Sequence, residues 1–424
     1  MIDVFVEYGH WLISLSIVFG FIMAFGIGAN DVANALGTSV GSKAISIKQA
    51  IVIAVIFEFA GAYLAGGEVT RTIRKGIIDQ QAFVNSPEIL VFGMIASLLA
   101  SGLWLILASR LGWPVSTTHS IIGALIGFAV VGASAEAVEW SKVIGIIGSW
   151  IITPGIAAMI AYTLFVSSQK LIFNAVNPLE AAKKYIPYYM GLAGFIMSLV
   201  TVKKGLKHLG LNLSSSESYL ICGGMAFGIF LLGRTLIKRQ NIHHRFKQSR
   251  EQQFENIEKV FAILMVTTAC CMAFAHGSND VANAIGPLAA VVSTIENQSI
   301  AVTTTLAWWI LPLGGAGIVL GLATYGKKVI ATIGQGITHL TPSRGFAAEL
   351  AAASTVIIAS GTGLPISTTQ TLVGAVLGVG LARGIAALNL KMIRTIVVSW
   401  VVTLPAGALI SIMIFNALQA IFTI

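Results

Sequence analysis

Two stretches of the sequence place carboxylates and amides inside apolar segments. The first is "GIGANDVANALG" at 26–37, and the second is "AHGSNDVANAIG" at 275–286. A carboxylate at the centre of a membrane helix costs about 2.5–3.5 kcal/mol, so such acids usually line a pathway or meet a partner. Hard cations prefer the oxygen ligands that Asp and Asn offer. The repeated motif therefore predicts a cation site. Its candidate ligands are Asp31, Asn34, Asp280 and Asn283.

Small residues surround both motifs. Gly26, Gly28 and Gly37 favour a local break in the first helix, as do Gly277 and Gly286 in the second copy. An unwound segment would free backbone carbonyls for a cation and N–H groups for an anion. In the competing interpretation, the small residues form a helix-packing surface and the acids cap a neighbouring helix. The first amide of each motif is assigned to the anion; these residues are Asn30 and Asn279.

A second duplicated motif combines proline with hydroxyl side chains, in "PVSTTHS" from Pro114 and "PISTTQT" from Pro365. Proline suits the first turn of a helix, and Ser or Thr can cap it. Hydroxyls and free N–H groups at a helix N-terminus also attract anions. Each motif alone is only an N-cap. In duplicate, and beside the acidic motifs, the two predict helix ends aimed at one small tetrahedral oxyanion. The candidate anion ligands are Ser116, Thr117, Thr118, Ser367, Thr368 and Thr369.

Neither pair of motifs offers a Lys or Arg to neutralise an anion. Cations held by the two Asp residues would supply that charge, so each ion would raise the affinity for the other. Glu58 and Glu349 are further acids in apolar runs, and each could serve a cation, a proton or a structural hydrogen bond. His119 could carry a proton, but its counterpart in the second copy is Gln370.

The composition indicates the protein class in which these motifs must work. Of 424 residues, 56% are hydrophobic and 10% are charged, whereas soluble domains are about a quarter charged. Apolar windows long enough to span a bilayer recur along the chain. The net charge of +9 is densest at 238–250, which the positive-inside rule places in the cytoplasm as a solvated loop. Acids before the first apolar run and lysines after it predict an outside N-terminus.

The two copies of each motif lie about 250 residues apart and in the same order, which indicates duplication. Secondary transporters often consist of two related halves with the substrate between them. We therefore predict an all-α polytopic membrane protein with about 12 transmembrane segments. They would form two inverted repeats, with re-entrant or half-helix hairpins at the central site. The predicted parts are a first repeat at 1–170, connecting helices and a basic loop (237–258) at 171–258, and a second repeat at 259–424.

The paired "G-[AS]-N-D-V-A-N-A" and "P-[VI]-STT" motifs resemble the inorganic phosphate transporter (PiT) family over nearly the whole chain. "FEFAGAYLAGGEVTRTIRKGIID" at 57–79 is similar to the sodium-coupled branch. The resemblance implies that Asp31, Asn34, Asp280 and Asn283 bind cations and that the Ser/Thr tips contact phosphate. It also matches Glu58 and Glu349 to acids that are important for transport, and it is compatible with a homodimer.

We therefore expect a sodium-coupled phosphate symporter that works by alternating access, with sodium at Asp31 and Asp280. Its partners would be inorganic phosphate, sodium ions and the lipid bilayer of a prokaryotic inner membrane, with no nucleic acid and no cofactor. Proton or metal-phosphate coupling and sulfate transport are alternatives within the family. A membrane enzyme for phosphate esters is disfavoured because no nucleophile–base set is duplicated. A receptor without transport would leave the internal acids without a purpose.

Overall fold

The computed structural model describes residues 4–205, 213–240, 250–300, 307–326, 340–384 and 389–422, and these form thirteen α-helices. Within those ranges there is no β-strand, only an isolated bridge between Ile78 and Val138. Eight helices are long and apolar enough to cross a membrane. The chain is thus an all-α polytopic membrane protein, as its composition predicts. The expected number of about twelve crossings stays a prediction.

The helices fall into a first group of six, a central pair and a second group of five. The first group is α1 (Val4–Gly41), α2 (Ile47–Ala65), α3 (Gly67–Lys75), α4 (Pro87–Leu111), α5 (Thr117–Gly132) and α6 (Trp140–Ser168). The central pair is α7 (Pro178–Val200) and α8 (Ser215–Arg239). The remaining helices are α9 (Arg250–Asn297), α10 (Ile310–Gly321), α11 (Pro342–Gly361), α12 (Thr368–Arg383) and α13 (Leu390–Phe422). Of the predicted loop 237–258, residues 241–249 lie outside the described residues, and both flanks are largely helical.

The expected break in the first helix of each half is wrong. Both α1 and α9 run as continuous helices through their Asn-Asp motifs. Their glycines serve close packing instead. A Cβ on Gly28 would lie 1.8 Å from the carbonyl oxygen of Ile318, and one on Gly277 would lie 2.1 Å from that of Glu58. Since neither helix could approach its neighbour so closely with a side chain there, α1 crosses α10 at Gly28 and α9 crosses α2 at Gly277.

The last two helices of each group pack against the last two helices of the other group. Helix α6 packs against α12, while α13 packs against α5. A Cβ on Gly374 would lie 2.3 Å from the carbonyl oxygen of Pro154, and one on Gly123 would lie 2.2 Å from that of Leu404. These two contacts join corresponding positions of the duplicated sequence. Each group therefore completes the packing of the other.

The outer faces of the helix assembly are apolar. Ile151 on α6 is 77% exposed, Leu220 on α8 is 79% exposed and Val401 on α13 is 69% exposed. Exposed apolar side chains of this size on long helices suit contact with lipid. The interior, in contrast, holds most of the polar residues that the sequence analysis singles out, including Asp31 and Asp280.

The glycine crossings predict a selective loss of stability. Gly374→Ala would force a methyl group into the Pro154 backbone, and overpacking of this kind typically costs about 1–3 kcal/mol. Gly145→Ala on α6 meets no atom within 4 Å and should be neutral or stabilising. Thermal unfolding of both purified variants in detergent checks this expectation. Equal unfolding temperatures would contradict it.

Candidate cation and anion site

Helices α5 and α12 begin inside the protein. Each follows a glycine with positive φ, 69° at Gly112 and 75° at Gly363, which turns the chain back into the interior. Ser116 caps α5 by accepting from the N–H of His119, and Ser367 caps α12. Each capping side chain accepts a hydrogen bond from a backbone N–H group that has no partner within the helix. A short polar sequence is therefore enough to start each of these helices.

The two helix tips contact each other. The Thr118 hydroxyl donates to the carbonyl of Ile366 at 2.9 Å, and the Thr369 hydroxyl lies 3.4 Å from the carbonyl of Val115. Val115 and Ile366 occupy corresponding positions of the repeat. The structure therefore brings together the tips that the sequence pairs, and all six Ser/Thr residues of the two motifs are buried.

Both motif acids lie against these tips. Asp31 accepts a hydrogen bond from Thr117 of the α5 tip at 2.6 Å and another from Thr369 of the α12 tip at 3.2 Å. Asp280 accepts from Thr368 at 2.7 Å. The exposed fractions of Asp31 and Asp280 are 1% and 0%. Threonine hydroxyls therefore hold the two carboxylates in the protein interior.

His276 joins the cluster and was missed as a site residue by the sequence analysis. Its Nδ1 lies 2.8 Å from Oε2 of Glu58, and its Nε2 lies 2.8 Å from Oδ2 of Asp280. The repeat concealed it, because the corresponding residue in the first copy is Ile27. The only available signal was its place one helical turn before Asp280, on the same face of α9.

The cluster carries excess negative charge. Ligand atoms of Asp31, His276 and Asp280 all lie within 4.8 Å of one another. A neutral imidazole has only one N–H, so its two close carboxylate contacts require one additional proton on the ring or on a carboxyl. With Glu58 counted, three carboxyl groups surround this one imidazole, so acidic groups outnumber the basic side chain. Buried like charges at such distances repel strongly. The arrangement therefore suits cations.

One amide oxygen is available to such a cation. Asn283 is 1% exposed, and its Nδ2 lies 3.4 Å from the hydroxyls of Thr117 and Thr118. Its Oδ1 is buried and has no hydrogen-bond partner within the described part of the chain. A buried acceptor without a donor is costly, and a cation would satisfy it. The side chain of Asn34, the corresponding prediction, lies outside the described residues.

The first amide of each motif contacts protein atoms. The Asn30 amide nitrogen donates to the Ser109 hydroxyl and to the Trp113 carbonyl, both at 3.1 Å, while its oxygen accepts from the Val115 N–H at 3.3 Å. In the second copy, the Asn279 amide lies 3.0 Å from the Ser360 hydroxyl. The geometry thus gives Asn30 a role in holding the segment before α5, and its predicted contact with phosphate stays a prediction.

Glu349 lies apart from the central cluster. It accepts from Thr38 at 2.5 Å, from Ser39 at 2.6 Å and from Thr268 at 2.8 Å. Thr38 follows Asp31 by seven residues, which is about 10 Å along α1. The carboxylate is surrounded by hydroxyl donors, whereas Glu58 contacts His276. The two acids that the sequence analysis grouped together therefore have different surroundings.

His119 also stays outside the acidic cluster. Its ring stacks against Trp150 with 3.6 Å between the centroids, and its Nδ1 lies 3.3 Å from the carbonyl of Trp400. These contacts hold the buried ring of His119 against α6 and α13. They give it no direct contact with Asp31 or Asp280 within the described residues.

Comparison with known proteins identifies relatives over almost the full length. The phosphate transporter family model matches residues 27–411. The chain is 59% identical to a putative phosphate permease of Haemophilus influenzae, with 99% of this chain and 100% of that protein covered. It is 42% identical to the chloroplastic inorganic phosphate transporter 2-1 of Arabidopsis thaliana, covering 94% of this chain and 70% of that one.

A solved structure described as the sodium-dependent phosphate transporter has the same fold. The TM-score is 0.90 at 38% sequence identity, and the match covers 97% of this chain and 99% of that one.

The contacts of Asn30 predict a structural effect of its removal. Asn30→Ala leaves the buried Val115 N–H and the Trp113 carbonyl without this partner, and each such loss costs about 1–3 kcal/mol. The unfolding temperature in detergent should fall clearly. Asn297→Ala removes an exposed amide at the end of α9 and is the matched control. An unchanged unfolding temperature with a raised KM for phosphate would assign Asn30 to the anion instead.

Proposed function

The chain belongs to the phosphate transporter family, and we propose that it imports inorganic phosphate together with sodium by alternating access. Its family is one of transporters and not of enzymes. The observation that carries the proposal is the contact between the helix tips and the acids. Thr117 donates to Asp31 at 2.6 Å, and Thr368 donates to Asp280 at 2.7 Å.

These two hydrogen bonds suggest how cation and anion are coupled. Without ions, the threonine hydroxyls satisfy the carboxylates and cannot donate to an oxyanion. A cation beside Asp31 or Asp280 takes over that role and frees the hydroxyls for phosphate. Phosphate in turn adds negative charge close to the cation, so each ligand raises the affinity for the other by the same factor. The net charge of the cluster opposes entry of phosphate alone.

The ligand set supports sodium as the cation. Carboxylate and hydroxyl oxygens meet at Asp31 and Thr117, and the nearby Asn283 side chain has a buried amide oxygen without a hydrogen-bond partner among the described residues. Oxygen ligands suit a hard ion. Both nitrogens of His276 already contact carboxylates, which leaves them less available to a softer metal. The structural relative that shares 38% identity is itself described as sodium-dependent.

The helix tips supply the phosphate site in this proposal. The N-termini of α5 and α12 meet where Thr118 contacts the carbonyl of Ile366 and Thr369 contacts that of Val115, and their positive ends would stabilise a small oxyanion there. The proposed phosphate ligands remain the six Ser/Thr residues of the tips, with Asn30 and Asn279 beside them. Sodium would lie at Asp31 and Asp280, with Asn34 and Asn283.

The reciprocal packing of the two helix groups supports two repeats related by a twofold axis. The proposed repeats are 1–170 and 259–424, joined by 171–258. A twofold axis in the membrane plane would invert one repeat, giving about twelve crossings with the N-terminus outside and the 237–258 loop in the cytoplasm. Rocking of one bundle would then expose the site to either side. A bacterial inner membrane and a homodimer stay predictions.

Glu58 and Glu349 are proposed as coupling acids with separate roles. Glu58 holds His276 against Asp280, so it acts on the cation site through the imidazole. Glu349 binds three hydroxyls of α1 and α9, the two helices that carry the Asn-Asp motifs. Its position about 10 Å from Asp31 along α1 suits an ion on its way to or from the centre.

Substitution of the central acids tests the proposal directly. Asp31→Asn and Asp280→Asn should each lower the apparent sodium affinity by about 5- to 150-fold, the usual range for coupled ligands, and abolish most uptake. Glu136→Gln, an exposed acid in the turn before α6, should leave uptake unchanged. Initial rates of labelled phosphate uptake into proteoliposomes measure the effect. Full sodium-dependent uptake by both Asp variants, inserted at normal levels, would refute the proposal.

The coupling ion and the anion are separated by gradient experiments with the unmodified protein. Phosphate uptake should follow an inward sodium gradient at constant pH and should not respond to a proton gradient in potassium buffer. Excess sulfate should not compete, and added magnesium should not be required. Proton-driven uptake would favour the proton-coupled alternative, a magnesium requirement would favour metal-phosphate transport, and sulfate competition would favour a sulfate permease.

A further inference from the structure

A basic cavity lies between α7 and α8, outside the Asp31–Asp280 site. Its volume is about 490 Å³. Two lysines from α7 and two cations from α8 line it, together with one acid, Glu180. The four cations are Lys183, Lys184, Arg234 and Lys238. Glu180 pairs with Lys183 at 2.9 Å, so the lining retains three excess positive charges. Arg234 and Lys238 form no ion pair with any described residue.

The wall of this cavity is aromatic. The rings of Tyr188 and Phe230 lie 4.9 Å apart and both border the space. Tyr188 is 59% exposed although it belongs to a membrane-spanning helix. Aromatic rings beside cations at a helix end are typical of the level where hydrocarbon meets headgroups. The cavity therefore lies at a membrane interface and not in the bulk solvent.

An apolar stripe on α8 leads to the basic residues. Leu220, Phe227 and Leu231 are 79%, 62% and 43% exposed. At 3.6 residues per turn, these three side chains and those of Arg234 and Lys238 lie within a sector about 60° wide. Phe227 lies about 10 Å deeper in the membrane than Arg234, which fits within one leaflet. One face of α8 thus offers an apolar track that ends in two cations.

We infer that this cavity binds the headgroup of an anionic phospholipid, with its acyl chains along the α8 stripe. The excess charge selects an anion, and the continuous apolar track selects a lipid over a free oxyanion. A second copy of the chain is a poorer occupant, because a twofold contact through this face would bring the unpaired cations of both copies together. The site lies at the end of α8 from which the basic loop follows. Anionic lipids of the cytoplasmic leaflet attract Lys and Arg at that level.

The test counts lipids bound to the full-length protein. Native mass spectrometry of the purified chain in detergent is performed with added phosphatidylglycerol, phosphatidylcholine or inorganic phosphate. The variant is Arg234→Gln/Lys238→Gln. The matched control is Lys391→Gln/Arg394→Gln, an exposed Lys–Arg pair at the start of α13, which our topology places on the same side. Thermal unfolding verifies that both double variants are folded.

The unmodified protein should retain one phosphatidylglycerol more tightly than phosphatidylcholine. The Arg234/Lys238 variant should lose roughly 25-fold in this affinity, since each Lys or Arg near an anionic headgroup contributes roughly fivefold. The control should bind as the unmodified protein does. Equal retention by the variant and the control would overturn the inference. Displacement of the lipid by millimolar phosphate would assign the cavity to the free anion. A changed monomer–dimer ratio in the variant, with unchanged lipid binding, would assign the cavity to a second copy of the chain.

Discussion

Two carboxylates buried side by side repel each other, and the rest of the structure depends on how that repulsion is met. Asp31 and Asp280 come from the two longest described helices and meet beside the basic side chain of His276. Hydroxyl donors reduce the cost of burial but add no charge. A bound cation or a proton would cancel what remains, and in the proposed function a cation there makes the interior acceptable to a second, negative ion. The proposed coupling therefore rests on the placement of the acids.

The surrounding helices are arranged to hold this cluster and to place two helix N-termini beside it. Glycines at the crossings let α10 and α2 approach α1 and α9 at backbone contact, which fixes the acids laterally. Asn30 forms hydrogen bonds with the backbone just before α5, and the adjacent Asp31 accepts a hydrogen bond from Thr117 at the α5 tip. Two neighbouring residues of α1 therefore hold this tip. The acid and the tip are consequently tied together through α1.

The two halves of the site are not equivalent. At the crossing marked by Gly277, the contact contains His276 and Glu58, whereas the crossing at Gly28 contains Ile27 and Ile318. The His276 imidazole therefore contacts Asp280 at 2.8 Å, whereas its ligand atoms and those of Asp31 lie within 4.8 Å of each other. Because the neighbouring proton supplies part of the compensating charge at Asp280, the two acids present different electrostatic environments to a cation. The duplicated framework thus holds its two acids in different surroundings.

The sequence determined the class, the duplication and most residues of the candidate site, because hydropathy and motif spacing are local properties of the chain. The acids, the Ser/Thr tips and their pairing all follow from repeated residues. The tertiary structure decided the rest. Helices α1 and α9 stay intact because their glycines permit close crossings, which depends on what packs against them. His276 enters the cluster because α2 brings Glu58 to it from 218 residues away. Asn30 likewise meets its partner Trp113 only because the segment before α5 packs against α1. Contacts between distant segments form only when the whole helix assembly closes, so no single stretch of sequence could have revealed them.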